Sequence, residues 1–441
     1  MWSDCCFSPV PMRSGLPFHF ARLLFGSALT FTVALGTVAC GGSTANPGPG
    51  DADTDAAIDP DAGADVAARP DVGYPAPHPK PPVVETYGGP VLTAPKVVPI
   101  YFGADAFKPQ LDGFFAAMPG SSWWKTTTEE YGVGDISIAP AVVLTESAPT
   151  NTTSDQIEAW LADKLDGTHP EFPAVDVNNI YLIMYPETTI ISQPDFGTSC
   201  QNYGGYHFET KTKTGKEIVY SVIPRCTNFA SFKGIDAVTT TISHELVEAA
   251  TDPLAVTDPA YSRVNAEHVI WNVVPLGEVG DMCTYEPQNY PRLVANLPVT
   301  KIWSNKSAAA GHDPCVPLIP GDVYFNSAPV FPDKVTANIY GTKIPTKGVQ
   351  VPNGQSKTID VQLFSDAPTD DWTIQAVDGS YFNGGAKELE FDWDKQIGNN
   401  GDVLHLTIKR VKNGAFGGSE FVLYSQKGPK TAHLWFGFAG N

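Results

Sequence analysis

One stretch, Ser243-His-Glu-Leu-Val-Glu-Ala-Ala-Thr-Asp-Pro253, carries donor atoms at a spacing that can bind a metal ion. It lies in a run, Asp236 to Thr251, that reads as a helix. Asp236 can cap its start, and Pro253 disfavours helix at Asp252. On such a helix His244 and Glu248 lie one turn apart on a shared face, and Glu245 lies about 100° around from His244. An imidazole and a carboxylate so placed can hold a divalent cation, with Glu245 facing it as general base. The alternative is a His–Glu pair hydrogen-bonded on a helix surface. Glu248 and Asp252 both fall in the last turn, where the helix dipole already concentrates negative charge. A cation, or a Lys or Arg, would relieve that cost. No basic residue lies between Asp236 and Tyr261, so any such partner comes from elsewhere in the chain.

The pattern is the His-Glu-x-x-His helix of zinc proteases with glutamate in place of the second histidine. Two anionic ligands neutralise a divalent ion and make it a weaker Lewis acid than three imidazoles would. Zn²⁺ is the expected ion, although an oxygen-rich set selects less sharply against Mn²⁺ or Ca²⁺.

The elements that must position these groups come from a chain of 441 residues, long enough for two or three domains. Hydrophobic content of 42% against 17% charged allows sizeable cores, and a net charge of −20 argues against nucleic acid and anionic membrane surfaces as partners. Residues 1–39 read as a secretory signal: Arg13 and Arg22, an apolar run from Leu23 to Val38, then Thr-Val-Ala-Cys40. Met12 is an alternative start. A Cys after the small residue matches a lipoprotein cleavage site, so Cys40 is expected to carry lipid and anchor the protein in a bacterial cell envelope, at the outer membrane or cell surface. The alternative is an ordinary signal peptide and a secreted protein. Residues 40–82 read as a disordered Asp/Ala/Pro/Gly tether, with seven Asp and one Arg between 51 and 71.

Residues 83–318 form the first expected domain. Strands are read at Lys96–Phe102, Ile136–Leu144, Asn179–Tyr185 and Glu217–Ile223, and helices at Phe107–Met118, Ser122–Tyr131 and from Ser154 as cap. This order predicts an α/β or α+β metallohydrolase-like domain. From 321 to 441 the pattern is purely β, with strands at Val335–Tyr340, Lys357–Phe364, Trp372–Val377, Leu389–Trp393, Val403–Lys409, Glu420–Ser425 and His433–Phe438. Asn-Gly turns separate several of them, which predicts an immunoglobulin-like β-sandwich acting as a binding or spacer module. Of seven cysteines, Cys200, Cys226, Cys283 and Cys315 fall in the first domain, an even number that reads as two disulfides in an exported protein.

Five segments occur in order: Cys200…Tyr206-His207-Phe, Ile223-Pro-Arg-Cys226, His244-Glu-Leu-Val-Glu-Ala-Ala-Thr-Asp-Pro253, Glu278-Val-Gly-Asp281-Met-Cys283, and Trp303-Ser-Asn…Asp313-Pro-Cys315. As a set they resemble the Exordium-like (phosphate-induced protein) family of secreted plant proteins and its bacterial relatives, over roughly residues 95–318. The resemblance implies an extracellular domain with a metalloprotease-like helix, and the disulfide pairings Cys200–Cys226 and Cys283–Cys315. It also implies that His207, Glu278 and Asp281 gather near that helix. Asp281 is the chosen third ligand beside His244 and Glu248, with Glu278 as the alternative. Cys283, two residues on, would hold Asp281 rigidly. His207 is expected as a donor to the reacting group, with a ligand or core role as alternatives, and Tyr285 as an oxyanion donor or packing residue.

The function these features predict is a lipid-anchored, extracytoplasmic metallopeptidase acting as a monomer on a peptide or cell-surface polymer. The alternative is a non-catalytic cell-surface protein with a structural or relict metal site.

Overall fold

A computed structural model describes residues 72–441 apart from 195, 230–231, 274–275, 285–289, 340, 382–384 and 429–430. Strand accounts for 38% and helix for 19%, so the chain is β-rich.

The first unit is built on a mixed sheet. Lys96–Phe102, Asn179–Tyr185 and Glu217–Pro224 run parallel as neighbours, and Tyr206–Lys211 joins antiparallel at one edge. At the other edge the strand expected over Ile136–Leu144 is two short pieces, Ser137–Ile138 and Val142–Leu144, both parallel to Lys96–Phe102. Pro140 lies between them and has no N–H to give a ladder. Every residue of Asn179–Tyr185 is buried, because helices cover both faces. Its side chains alternate: Ile180, Leu182 and Met184 enter one core, Tyr181, Ile183 and Tyr185 the other.

Helix α1 (Lys108–Ala117), α2 (Ser122–Thr128) and α4 (Ile235–Thr251) pack on the first face, and α3 (Ser154–Lys164) on the second through Ile157 and Leu161. The cap of α3 is Thr153 rather than Ser154. Its hydroxyl accepts from the Gln156 N–H and the Gln156 side chain accepts from its own N–H, a reciprocal box.

Helix α4 is buried from Ala237 to its end. Its Ser and Thr hydroxyls are satisfied internally: Thr240 donates to the Asp236 carbonyl at 2.7 Å, Thr241 to Ala237 at 3.0 Å and Ser243 to Thr240 at 2.8 Å. Asp236 is not the cap expected. The helix starts from Gly234, whose φ of 57° suits only glycine without strain, and Asp236 in the first turn instead pairs with Arg292 at 2.7 Å and 3.1 Å.

The second unit is a two-sheet sandwich. One sheet orders Phe325–Pro329, Ser356–Ser365, Val403–Arg410 and Leu389–Trp393. The other orders Asp333–Ile339, Thr342–Gln350, Thr431–Gly440, Ser419–Lys427, Trp372–Asp378 and Ile397–Gly398. Phe325 meets Trp372, Phe391 meets Phe421, and the hydroxyls of Ser327 and Ser425 bond at 2.7 Å between the sheets. The two units share one apolar core. Trp271 of the first contacts Trp435 and Phe436 of the second, with ring centroids 6.2 Å and 4.7 Å apart.

The expected tether over 40–82 ends earlier than predicted, because its last residues are packed chain. Ala76 N–H donates to the Asn400 side chain at 2.9 Å, Asn400 donates back to the Gly73 carbonyl at 2.8 Å, and His78 stacks on Phe364 at 3.8 Å. These contacts leave no hydrophobic period for sequence reading to find.

His268 sits at the junction of the units, close to the Trp435 ring and beside the Glu267–Lys347 ion pair. Burial, then Lys347, lowers its imidazole to about 4. The unfolded chain, titrating near 6.5, therefore binds a proton that the folded chain refuses between pH 6.5 and 4. This group leaves stability untouched above pH 6.5 and removes about 3 kcal/mol as pH falls to 4. His268→Gln is expected to flatten that part of the acid-unfolding profile. Parallel profiles for the two proteins would show that His268 is not the titrating group.

Candidate metal centre

Three pieces of chain converge on the C-terminal half of α4. The helix supplies His244, Glu245, Glu248 and, at its end, Asp252. The edge strand Tyr206–Lys211 supplies His207, which its register sets opposite Ser221. The segment after Gly277 supplies Glu278 and Asp281, and the disulfide Cys283–Cys315 ties it down. The other disulfide is Cys200–Cys226, so both pairings are those the resemblance implied.

His244 Nε2 lies 3.1 Å from Glu248 Oε2 and 3.5 Å from Asp281 Oδ1. The three offer one nitrogen and two carboxylate oxygens within 4.8 Å of one another. The two distances from His244 lie inside the roughly 4 Å that bonds near 2 Å to one ion allow, and two carboxylates with one imidazole match the charge of a divalent ion. The Asp281 N–H donates to Glu248 Oε1 at 3.2 Å, which fixes the carboxylate toward His244. Gly280 is needed for this approach: a Cβ there would lie 2.8 Å from Glu248 Oε1 and from the His244 ring.

Glu245 is fully buried beside this set, with Oε2 3.7 Å from His207 Nδ1. Neither of its oxygens has a hydrogen-bond partner among the described residues. Its carboxyl is pushed well above the usual range by burial; His244 opposes this, and the charges of Glu248 and Asp281 add to it. For His244, burial pulls the imidazole down, but Glu248 and Asp281 outweigh it and hold it well above its ordinary value. Gly205 lies over Glu245, where a Cβ would come within 2.7 Å of Oε1.

His207 is brought in as expected, 3.7 Å from Glu248 Oε2 and 3.8 Å from Glu278 Oε1. Asp252 is a member that sequence reading treated only as a last-turn acid. It shares a second set with His207 and Glu278, again within 4.8 Å. Its spacing of four from Glu248 was a signal. The backbone, however, leaves the helix at Asp252 (φ −149°, ψ 64°), so helical periodicity cannot place its side chain. Tyr285 and Cys40 lie outside the described residues.

No family model and no curated protein matches the chain. Among solved structures it is similar to a conjugative transposon lipoprotein from Bacteroides eggerthii DSM 20697, at 13% identity, over 26% of this chain and 97% of that one, with a TM-score of 0.18. A lipoprotein from Bacteroides thetaiotaomicron gives 12% identity, 29% and 85% coverage, and a TM-score of 0.17. Likeness at that level carries no weight for fold or site, so the Exordium-like resemblance rests on the ordered segments alone.

Proposed function

We propose that this protein is an envelope-anchored, metal-dependent hydrolase, a peptidase of the first unit carrying the β-sandwich as a binding or spacer module. The observation that carries the reading is the convergence of His244, Glu248 and Asp281, with the buried carboxylate of Glu245, which has no hydrogen-bond partner among the described residues, beside them. The three would hold a divalent ion, Zn²⁺ first. When bound, it supplies a Lewis acid able to polarise a scissile carbonyl and to acidify water. Glu245 would take a proton from the attacking water and pass it to the leaving amine. His207 stands within 4 Å of Glu245, where a protonated imidazole would pair with its carboxylate. The two disulfides fit an oxidising compartment, and lipid on Cys40 would hold the chain at the cell surface. The substrate class is a peptide or cell-surface polymer, met by a monomer.

One observation favours a second reading, a non-catalytic surface protein with a structural ion. The site residues are at most 3% exposed, so a substrate reaches them only if a covering segment moves. Glu245→Gln separates the two. Hydrolysis of a peptide library is expected to fall by about 10²–10⁴-fold, with metal content and fold unchanged. If the wild type cleaves no better than the variant, the surface-protein reading replaces the hydrolase.

A further inference from the structure

We propose that the centre takes two divalent cations, the second held by His207, Asp252 and Glu278 and sharing Glu248 with the first. This rests on the reading of the first set as a metal site. The second set has the same chemistry, one imidazole and two carboxylates within 4.8 Å, and all three residues are buried. The two sets are not independent. Glu248 Oε2 lies 3.1 Å from His244 Nε2 and 3.7 Å from His207 Nδ1, so one carboxylate faces both histidines. The His207 ring faces Glu248 with Nδ1 and Glu278 with Nε2, and so stands between the two compartments. Glu245 gives an independent sign. Its buried oxygens, without a hydrogen-bond partner among the described residues, also face His207, which gives a third overlapping set of His207, Glu245 and Glu248.

Charge points the same way. Glu245, Glu248, Asp252, Glu278 and Asp281 are five carboxylates with almost no contact with water. One divalent ion offsets two negative charges. A second ion offsets two more. Carboxylate–imidazole sets of this kind suit Zn²⁺ and Mn²⁺. Paired ions a few ångströms apart can clamp both the attacking and the leaving oxygen in hydrolysis of an ester, amide or phosphoester.

The test uses the full mature chain, stripped of metal and titrated with Mn²⁺. Bound equivalents are read by elemental analysis after desalting, and coupling between ions by electron paramagnetic resonance. Two equivalents are expected, with the six-line signal of isolated Mn²⁺ replaced by a broad exchange-coupled one. Glu278→Gln and Asp252→Asn are each expected to leave one equivalent and restore the six-line signal. Folding is checked by circular dichroism, and the wild-type result stands without the variants. One equivalent in the wild type overturns the second site and leaves the first intact. Two uncoupled equivalents that survive both substitutions also overturn it, because the extra ion then sits elsewhere. No equivalents overturns both readings.

Discussion

Stripping the protein of divalent metal is expected to lower its melting temperature by roughly 5 °C. A ligand present at a thousand times its Kd and bound only by the folded state adds about 4 kcal/mol, which for a chain of this size is a shift of that order. A larger expectation concerns Glu248. In the metal-free protein burial opposes charge on the His244 imidazole, but the carboxylates of Glu248 and Asp281 lie against it and hold it well above its ordinary value, while burial keeps the Glu245 carboxyl neutral. Glu248→Gln removes an ion-pair partner of His244 in the metal-free protein and a donor to the ion in the loaded one. That variant is expected to melt lower than wild type in EDTA and to lose most of the gain that excess Zn²⁺ or Mn²⁺ gives the wild type. Thermal unfolding under both conditions checks it. A melting temperature indifferent to metal, or a variant that gains as much from metal as the wild type does, would overturn the metal centre.

The second large effect concerns Cys283–Cys315. With its cysteines 32 positions apart in sequence, the chain-entropy model gives it about 4 kcal/mol. The Cys283→Ala/Cys315→Ala double variant is expected to lose that stability. It should also bind metal about 10–100-fold more weakly, because the bond anchors the turn that presents Asp281. Cys200–Cys226 closes a slightly shorter loop and should cost a similar amount of stability when removed. It holds the segment before Gly205, which covers Glu245 but supplies none of the donors His244, Glu248 and Asp281, so its loss should spare affinity for the ion held by those three. Affinities measured well below both unfolding transitions separate the two. Equal weakening by both double variants would mean that general loosening, not the placement of Asp281, is being read.

Parts of this arrangement were legible because one local rule decided them. Helical periodicity alone puts His244 beside Glu248, and the continuous apolar run Asn179–Tyr185 belongs to a strand covered on both faces. The nearness of Asp281 and His207, and both disulfide pairings, came from the order of segments and not from any local pattern. What escaped reading depends on partners distant in the chain. Asp236 looks like a cap until Arg292, 56 residues away, takes its carboxylate. Thr342–Gln350, with Pro345 and Gly348, has no alternating pattern, yet it pairs with Asp333–Ile339 on one side and runs parallel to the last strand on the other. Asp252 joins the second donor set only because the chain departs from helical geometry at that residue.

The contacts of residues 73–78 with Asn400 and Phe364 decide where a pull on the N-terminus is felt. The chain crosses the sandwich before it enters the first unit, and it returns to the sandwich when that unit is complete. Were the N-terminus held at a surface, as proposed, tension on it would reach first the sheet that holds Ser356–Ser365, through hydrogen bonds and a ring stack. The segment carrying His207, α4 and Asp281 lies downstream of that clamp, between two attachments to the same body. Under the proposed anchoring, the sandwich would therefore be loaded before the segment that carries the buried donors.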